Sequence, residues 1–231
     1  MRPAKDQRAG GEAAAGSQSI NVVLVGLPGS GKGTQGSHFA RRHRIPKIST
    51  GDMLRDAVAR GTALGAEVAA TLNAGGLVHD DMIIRVVEDR LQNRDTARGF
   101  VLDGFPRTLP QAVSLDGLMS GRGALIVIYL EVSADVILER ILSRRVCESC
   151  GQADTGAPTT EYCASCGGGF VKRADDHVDV IRRRVATYVE NTAPLVEWYR
   201  KGSTFRAIDG NQSLGDVAQA FDAAVLECLS R

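Results

Sequence analysis

A glycine-rich segment, GLPGSGKGT from Gly26 to Thr34, has the residue types and spacing of a phosphate-binding loop. It follows the apolar run INVVLV, which is typical of a strand buried on both faces, and it precedes a helical pattern. Glycines allow successive backbone N–H groups to point at one centre, where Lys32 and the start of the helix add positive charge. The motif is G-x-x-x-x-G-K, but Gly33 stands where a Walker loop has Ser or Thr, and Thr34 follows one place later. An ordinary glycine-rich turn is the alternative, and the flanking strand and helix favour phosphate binding over it.

A carboxylate ends the apolar run GFVLD at Asp103. An acid at the end of a strand beside a phosphate loop is placed to help hold Mg²⁺. Asp103 would supply the metal contact that Gly33 has no hydroxyl to make. A helix cap or a turn is the other common role of such an Asp, and the neighbouring loop favours the metal.

Arginine is frequent in the segments that should converge on the loop. The positions are Arg55, Arg107, Arg140, Arg144, Arg145, Arg173 and residues 182–184. Any one of them alone is typical of a solvated surface or an ion pair. Together they predict a site that binds several phosphates, because the planar guanidinium group binds phosphate oxygens in pairs.

The sequence contains no Ser–His–Asp arrangement and no evident catalytic base. The four histidines are scattered and are predicted to be surface or packing residues, namely His38, His43, His79 and His177. A base is unnecessary if the acceptor is itself a phosphate, which is already anionic near neutral pH. Catalysis then rests on positioning and charge neutralisation, which Lys, Arg and Mg²⁺ provide.

Four of the five cysteines form the pairs CESC and CASC, with the spacing C-x₂-C-x₁₂-C-x₂-C. This spacing predicts a four-thiolate zinc site at Cys147, Cys150, Cys163 and Cys166. A site filled by four protein ligands is closed and therefore structural, and reduced cysteines without a metal are the alternative. The remaining cysteine, Cys228, is predicted to lie in the core.

A zinc-containing module that binds nucleic acid is the hypothesis from a different class. Such modules carry Lys and Arg among their cysteines. Between Cys147 and Cys166 the charged residues are all acidic, namely Glu148, Asp154 and Glu161. This distribution and a formal net charge of +1 disfavour nucleic acid and anionic membranes as partners.

The composition is that of an ordinary globular domain. With 231 residues, 43% hydrophobic and 24% charged, the chain fits one large α/β domain. The apolar run ALIVIYL (124–130) predicts a buried strand because it is far shorter than a membrane span. Residues 1–19 are small and polar without periodicity, and we expect a disordered tail. The tail lacks the apolar segment of a secretory signal, and Asp6 and Glu12 disfavour a transit peptide, so we expect a cytoplasmic protein.

Strand-like runs alternate with helical patterns along the rest of the chain. Strands are predicted at 20–25, 45–49, 99–103, 124–131 and 205–208. Helices are predicted from Lys32, at 51–60, 63–74, 80–94, 109–119 and 176–199, and from 214. A further helix is predicted after Ser133, which would be its N-cap, with Val136, Ile137, Ile141 and Leu142 on one face. The alternation predicts a parallel sheet with right-handed crossovers and helices on both faces. Ligands bind at the carboxyl ends of such strands, where the loop from Gly26 and the segment DGFPR (103–107) both lie.

Seven motifs, in order from residue 20 to about 228, resemble those of the adenylate kinase family. They are GLPGSGKGT, ISTGDMLR (48–55), GLVHDD (76–81), LDGFPRTLPQA (102–112), RILSRR (140–145), RADD (173–176) and TAPL (192–195). The resemblance implies the reaction ATP + AMP ⇌ 2 ADP with Mg²⁺, which serves adenine nucleotide homeostasis and salvage. A kinase for another nucleoside monophosphate, or a relative that uses GTP, is the alternative.

The resemblance also implies an architecture. We expect an α/β P-loop three-layer fold with a parallel five-stranded sheet, in one domain over 20–231. An AMP-binding helical insertion is expected at 49–78 and a zinc lid at 143–176, and the protein is expected to be a monomer without nucleic-acid or membrane partners.

Site residues carry over from the family motifs position by position. The residues implied to bind ATP are Gly29, Ser30, Gly31, Lys32, Gly33, Thr34, Arg140, Arg144 and Gln212. The residues implied to bind AMP are Thr50, Arg55, Gly76, Leu77, Val78, Gly104, Arg107, Gln111, Arg173 and Arg184, with Thr50 and Gln111 facing the base. The residues implied to act in catalysis are Lys32, Asp103, Arg107, Arg144, Arg173 and Arg184.

Two departures from the family pattern affect the donor base. Zinc lids of this family place a small hydroxyl residue and an aromatic residue against the adenine of ATP, and Ala153 and Asp154 stand here instead. Gln212 replaces the Lys that often follows the DG turn near the C-terminus. We therefore expect weak donor selectivity, unless Tyr162 provides a substitute stack on the base.

Overall fold

A computed structural model of the chain describes residues 19–154, 160–173 and 176–230. The strands in chain order are β1 Ile20–Val25, β2 Lys47–Ser49, β3 Gly99–Asp103, β4 Leu125–Glu131, β5 Val146–Cys147, β6 Phe170–Val171 and β7 Phe205–Asp209. The helices are α1 Lys32–His43, α2 Thr50–Ala59, α3 Ala63–Asn73, α4 Asp80–Leu91, α5 Leu109–Leu118, α6 Ala134–Ser143, α7 Val178–Thr187, α8 Ala193–Arg200 and α9 Leu214–Leu229.

Five strands form one parallel sheet in the order β2-β3-β1-β4-β7. The central strand β1 pairs with β3 and β4, and its Leu24 lies opposite Asp103 and Ile128. Because all these strands run the same way, their carboxyl ends share one edge of the sheet, and the loop from Gly26 leaves β1 there.

Side chains alternate across β1 and fill a separate core on each face. Val22 and Leu24 pack with α1 and α9, where the rings of Phe39 and Phe221 stack with centroids 4.5 Å apart. On the other face Val23 belongs to a second core that includes residues of α2 to α5 and α8. Two helical layers thus enclose the sheet, and the predicted α/β three-layer fold with a parallel five-stranded sheet is confirmed.

The helix predicted at 176–199 is interrupted. Between α7 and α8 the turn Tyr188–Thr192 widens into a π-helix. Pro194 lies in the first turn of α8 and has no N–H to donate to the preceding turn, so the regular α-helical ladder cannot continue through it. The widened turn lets the hydroxyl of Thr192 donate to the carbonyl of Arg107, 2.9 Å away.

The start of α6 also differs in detail from its prediction. Ser133 occupies the N-cap position, but its hydroxyl bonds to Oδ1 of Asn211 at 3.1 Å and caps no helical N–H. Ile137 and Ile141 are buried as predicted, whereas Leu142 is 50% exposed and leaves the apolar face. Cys228 of α9 is buried in the core that contains Phe39 and Phe221, as predicted.

The tail predicted at 1–19 lies outside the described residues, except for Ser19, whose hydroxyl donates to the carbonyl of Arg122. Among the helices that the structure describes, none is long and apolar enough to cross a membrane.

Candidate active site

The glycine-rich loop joins β1 to α1 at the carboxyl edge of the sheet. Gly29 and Gly31 have φ of 87° and 94°, which side-chain-bearing residues rarely adopt. A Cβ at Gly29 would also lie 2.6 Å from the side chain of Ile141, so the loop can approach α6 this closely only with glycine. These glycines therefore permit the tight loop, whose backbone leads into the N-terminus of α1, where an anion could bind.

Lys32 is folded back onto this loop. Its Nζ donates to the carbonyls of Gly26 at 2.6 Å and Leu27 at 2.8 Å. Desolvation lowers the pKa of Lys32 to about 8, against the opposing effect of the Asp103 charge. A phosphate in the loop would offer the ammonium a charged acceptor in place of two neutral carbonyls, which gives a stronger hydrogen bond.

A cavity of about 470 Å³ lies over the loop. Every residue implied to bind ATP and every implied catalytic residue lines it: residues 29–34, Asp103, Arg107, Arg140, Arg144, Arg173, Arg184 and Gln212. The fold therefore brings together residues that are up to 183 positions apart in the printed sequence (29 to 212).

Two of the cavity arginines are held by one carboxylate. Nε of Arg144 donates to Asp176 at 2.7 Å, and a guanidinium nitrogen of Arg184 lies 3.3 Å from the same carboxylate. The side chain of Asp176 is only 5% exposed, so it orients both guanidinium groups where water competes little. Sequence reasoning missed Asp176, although it is the last residue of the RADD motif.

A smaller cavity of about 60 Å³ adjoins the first. It is lined by the residues implied to bind AMP, namely Thr50, Arg55, Gly76, Leu77, Val78, Gly104, Arg107, Gln111 and Arg184, whereas Arg173 lines only the larger cavity.

The two residues expected to face the acceptor base are buried and hydrogen-bonded. Gln111 accepts from the backbone N–H of Arg107 at 2.7 Å and donates to Asp80 at 2.6 Å. Thr50 donates to the carbonyl of Gly104 at 2.8 Å. These bonds fix which way the Gln111 amide points. Asp80, at the start of α4, was also missed by sequence reasoning, because nothing local reveals that α4 and α5 meet there.

Asp103 has the position expected of a carboxylate that helps to hold a cation. It ends β3, and its Oδ2 lies 3.3 Å from where a Cβ on Gly33 would be, beside the first turn of α1. The ammonium of Lys47 lies 3.8 Å from the same oxygen, so the space in front of Asp103 already accepts a positive charge. Oxygen donors beside a phosphate loop suit Mg²⁺, and the residues present fit that ion.

The four thiols between residues 147 and 166 also fit a metal. All four sulfur atoms lie within 4.8 Å of one another, with Cys147 and Cys166 at 3.4 Å and Cys150 and Cys163 at 3.7 Å. Tetrahedral zinc with Zn–S bonds of about 2.3 Å requires sulfur separations of about 3.8 Å. The cluster is close to this geometry before any metal is considered.

Each cysteine pair forms the same turn. The N–H of Gly151 bonds to the carbonyl of Cys147 at 2.9 Å, and the N–H of Gly167 bonds to that of Cys163 at 2.8 Å. Both glycines have positive φ, near 70°, so the motif in each half is C-x₂-C-G. The glycine after each pair is a sequence signal that strengthens the zinc prediction.

The segment that carries the cysteine cluster lines one side of the large cavity with Val146, Gln152 and Ala153, together with Asp154. The carboxylate of Asp154 is paired with the side chain of Arg145, and its N–H bonds to the Arg145 carbonyl at 2.9 Å. Tyr162 is a described residue that is 66% exposed, and it is not among the residues that line the cavity.

A phosphate loop after the central strand of a parallel sheet, with arginines facing it across a cavity, defines a P-loop phosphotransferase. The family profile described as adenylate kinase matches residues 24–204. An adenylate kinase of Kosmotoga olearia is 44% identical over 206 residues, which cover 87% of this chain and 96% of that protein. Adenylate kinases of Trichlorobacter lovleyi and Moorella thermoacetica are 42% and 43% identical and cover 90% and 89% of this chain, and 100% and 98% of their own lengths. The chain belongs to the adenylate kinase family, which confirms the resemblance drawn from its motifs.

Proposed function

We propose that the protein transfers a phosphoryl group reversibly between adenine nucleotides, ATP + AMP ⇌ 2 ADP. The observation that carries this proposal is the junction of the two cavities. Arg55, Arg107 and Arg184 line both of them. A nucleotide in each cavity would therefore bring its phosphates to the same arginines, which is the arrangement that transfer from phosphate to phosphate requires.

The donor end of the site is the phosphate loop with Lys32 and Arg140, and the acceptor end is the smaller cavity with Thr50 and Gln111. At the donor end, Lys32 and the N–H groups at the start of α1 bind the phosphates. Mg²⁺ bound through Asp103 would neutralise part of the phosphate charge.

Between the two ends, arginine side chains neutralise the charge that develops on the transferring group. Arg107 would orient the acceptor phosphate, and Arg144, Arg173 and Arg184, which line the same cavity, would bind the transferring phosphoryl group. The acceptor oxygen is already anionic, so no side chain has to remove a proton from it.

A coupled assay with AMP, CMP, UMP and GMP as acceptors tests the proposed function. We expect transfer from ATP to AMP with Mg²⁺, and much slower transfer to the other three acceptors. Comparable turnover with CMP or UMP would instead identify a kinase for another nucleoside monophosphate.

We further propose that residues 49–78 form the AMP-binding insertion and that 143–176 form a lid built on one structural zinc ion. The sulfur geometry supports zinc, and the C-x₂-C turns supply four thiolates and no open coordination position. Metal analysis of protein purified without chelator should give one zinc per chain, and Cys147→Ala should release it and lower the melting temperature. Absence of zinc from the intact protein would contradict this assignment.

A monomer is the proposed active unit, because one chain supplies every residue implied to bind ATP and AMP in the two cavities. Four closely spaced thiols also suit a reducing compartment such as the cytoplasm, where they remain available to a metal. Sedimentation equilibrium at assay concentrations tests the first proposal, and cell fractionation tests the second.

A further inference from the structure

Lys47 is a charged residue of the large cavity to which neither the sequence motifs nor the proposed reaction gives a role. It begins β2 at the edge of the sheet, and its side chain is only 19% exposed. Its ammonium lies 3.8 Å from Oδ2 of Asp52 and 3.8 Å from Oδ2 of Asp103. Lys47 therefore places a positive charge between two carboxylates at the end of the sheet where the phosphates bind.

The side chain of Lys47 passes close to two glycines of α1. Its Cδ passes 3.8 Å from where a Cβ on Gly36 would lie, and its Nζ passes 3.6 Å from the corresponding point on Gly33. Gly33 is the position at which a Walker loop carries a hydroxyl residue. The ammonium thus occupies space beside the phosphate loop that a larger residue at this position would restrict.

The distances define the kind of contact. At 3.8 Å from each carboxylate oxygen, the ammonium makes two ion pairs but no direct hydrogen bond to either acid. Asp52 has a closer partner in Arg55, at 2.5 Å. Among the described residues, Lys47 is the one whose cationic group lies within 4.0 Å of the Asp103 carboxylate. The charge of Lys47 is therefore shared by the two carboxylates, one of which faces the phosphate loop.

We propose that Lys47 is a tethered cation that competes with the divalent metal ion for Asp103 and Asp52. This inference rests on the proposed function, in which Asp103 helps to hold Mg²⁺. A divalent ion at Asp103 and the ammonium at 3.8 Å repel each other, so metal binding requires the flexible lysine to move away. Lys47 thereby weakens metal binding and sets the metal concentration that the enzyme needs.

The test measures metal binding directly. Mn²⁺ is titrated into the zinc-loaded protein with AMP and an ATP analogue whose γ-phosphoryl group cannot transfer, and electron paramagnetic resonance reports the Mn²⁺ that remains free. Removal of one partly exposed charge near the ion should make Mn²⁺ bind about three- to tenfold more tightly to Lys47→Gln than to the unmodified protein. The free Mg²⁺ concentration for half-maximal turnover should fall by a similar factor.

Three variants separate charge from other effects. Lys47→Arg retains the charge and should bind Mn²⁺ as the unmodified protein does. Lys201→Gln removes the same charge from an exposed position at the end of α8 and should change nothing. Asp103→Asn should weaken Mn²⁺ binding both with Lys47 present and with Lys47→Gln. Melting curves of all variants report whether they are folded.

Several results would overturn the proposal. Unchanged or weaker Mn²⁺ binding by Lys47→Gln is one, and equal tightening by Lys47→Arg is another. A KM for ATP that rises at every Mg²⁺ concentration, with Mn²⁺ affinity unchanged, would make Lys47 a phosphate ligand instead. Transfer from ATP to AMP by the unmodified protein is measured in the same preparations, so failure of the proposed function is recognised separately.

Discussion

At the proposed acceptor end of the site, Thr50 and Gln111 are 2% and 3% exposed, and each is held by hydrogen bonds to the protein. At the proposed donor end, Val146 and Ala153 present only apolar side chains and are partly exposed, and the amide oxygen of Gln152 accepts a hydrogen bond from Ser165. The charge of Asp154 is neutralised there by Arg145. The two ends share their arginines but differ in how a base would be recognised.

This difference indicates where selectivity is encoded. A buried amide with a fixed orientation rejects a wrong base, because a mismatch leaves polar groups unpaired in a place that water cannot reach. Apolar groups beside solvent discriminate weakly between bases. We therefore expect strict choice of acceptor and loose choice of donor, with phosphate chemistry common to both.

The largest effect should come from two arginines of the larger cavity, where the transferring phosphoryl group is proposed to lie. Arg107→Ala and Arg144→Ala should each lower kcat by at least about a hundredfold with every donor and acceptor, because they neutralise charge in the transition state. Steady-state kinetics with saturating nucleotides measures this. Arg182→Ala, on the exposed side of α7, is the control and should be nearly silent. Effects confined to KM would show that Arg107 and Arg144 only bind the ground state.

The acceptor amide should give the next largest effect. Gln111→Ala should reduce kcat/KM for AMP by about ten- to a hundredfold, as expected for the loss of one or two buried hydrogen bonds to the base. It should reduce kcat/KM for CMP and UMP far less, so that selectivity falls. Gln92→Ala, at the exposed end of α4, is the matched control. Equal losses for all acceptors would place the selectivity elsewhere.

Sequence patterns predicted the parts of this molecule that depend on local order. The strand–loop–helix from β1 to α1, the C-x₂-C pairs and the alternation of strands and helices can all be read from adjacent residues. The contacts of Asp80, Asp176 and Lys47 could not be, because each depends on which elements meet in space. The helix through Tyr188 was predicted as continuous because its apolar periodicity gave no sign of the widened turn before Pro194.

A pH profile tests the donor end through Lys32. Its pKa is lowered to about 8 by desolvation, so the ammonium is almost fully present one pH unit or more below that value and is lost as the pH rises through it. The value of kcat/KM for ATP reports the free enzyme and should fall about tenfold per pH unit above 8. At saturating ATP, kcat/KM for AMP should lack this decline, because bound phosphates stabilise the ammonium.

The control for this profile is Lys32→Arg. Its guanidinium stays charged through the whole range, so whatever activity remains should show no decline near pH 8. A constant kcat/KM for ATP up to pH 9.5 in the unmodified protein would contradict a lowered pKa of Lys32 combined with its binding of the donor phosphates.

The smallest effect is the change of donor base, and it decides whether the two ends differ as we infer. Base–aromatic stacking contributes about 1–3 kcal/mol in nucleic-acid complexes, and neither the methyl group of Ala153 nor the Asp154 carboxylate, paired with Arg145, can replace it. GTP and CTP should therefore support AMP phosphorylation within about tenfold of ATP in kcat/KM, a gap of about 1.4 kcal/mol. A preference for ATP above about a hundredfold, or about 2.7 kcal/mol, would contradict loose donor choice.

The exposed ring of Tyr162 would then be the first candidate for a stack that forms when the proposed lid closes. Tyr162→Ala tests that explanation, because a preference that survives it must arise from another residue.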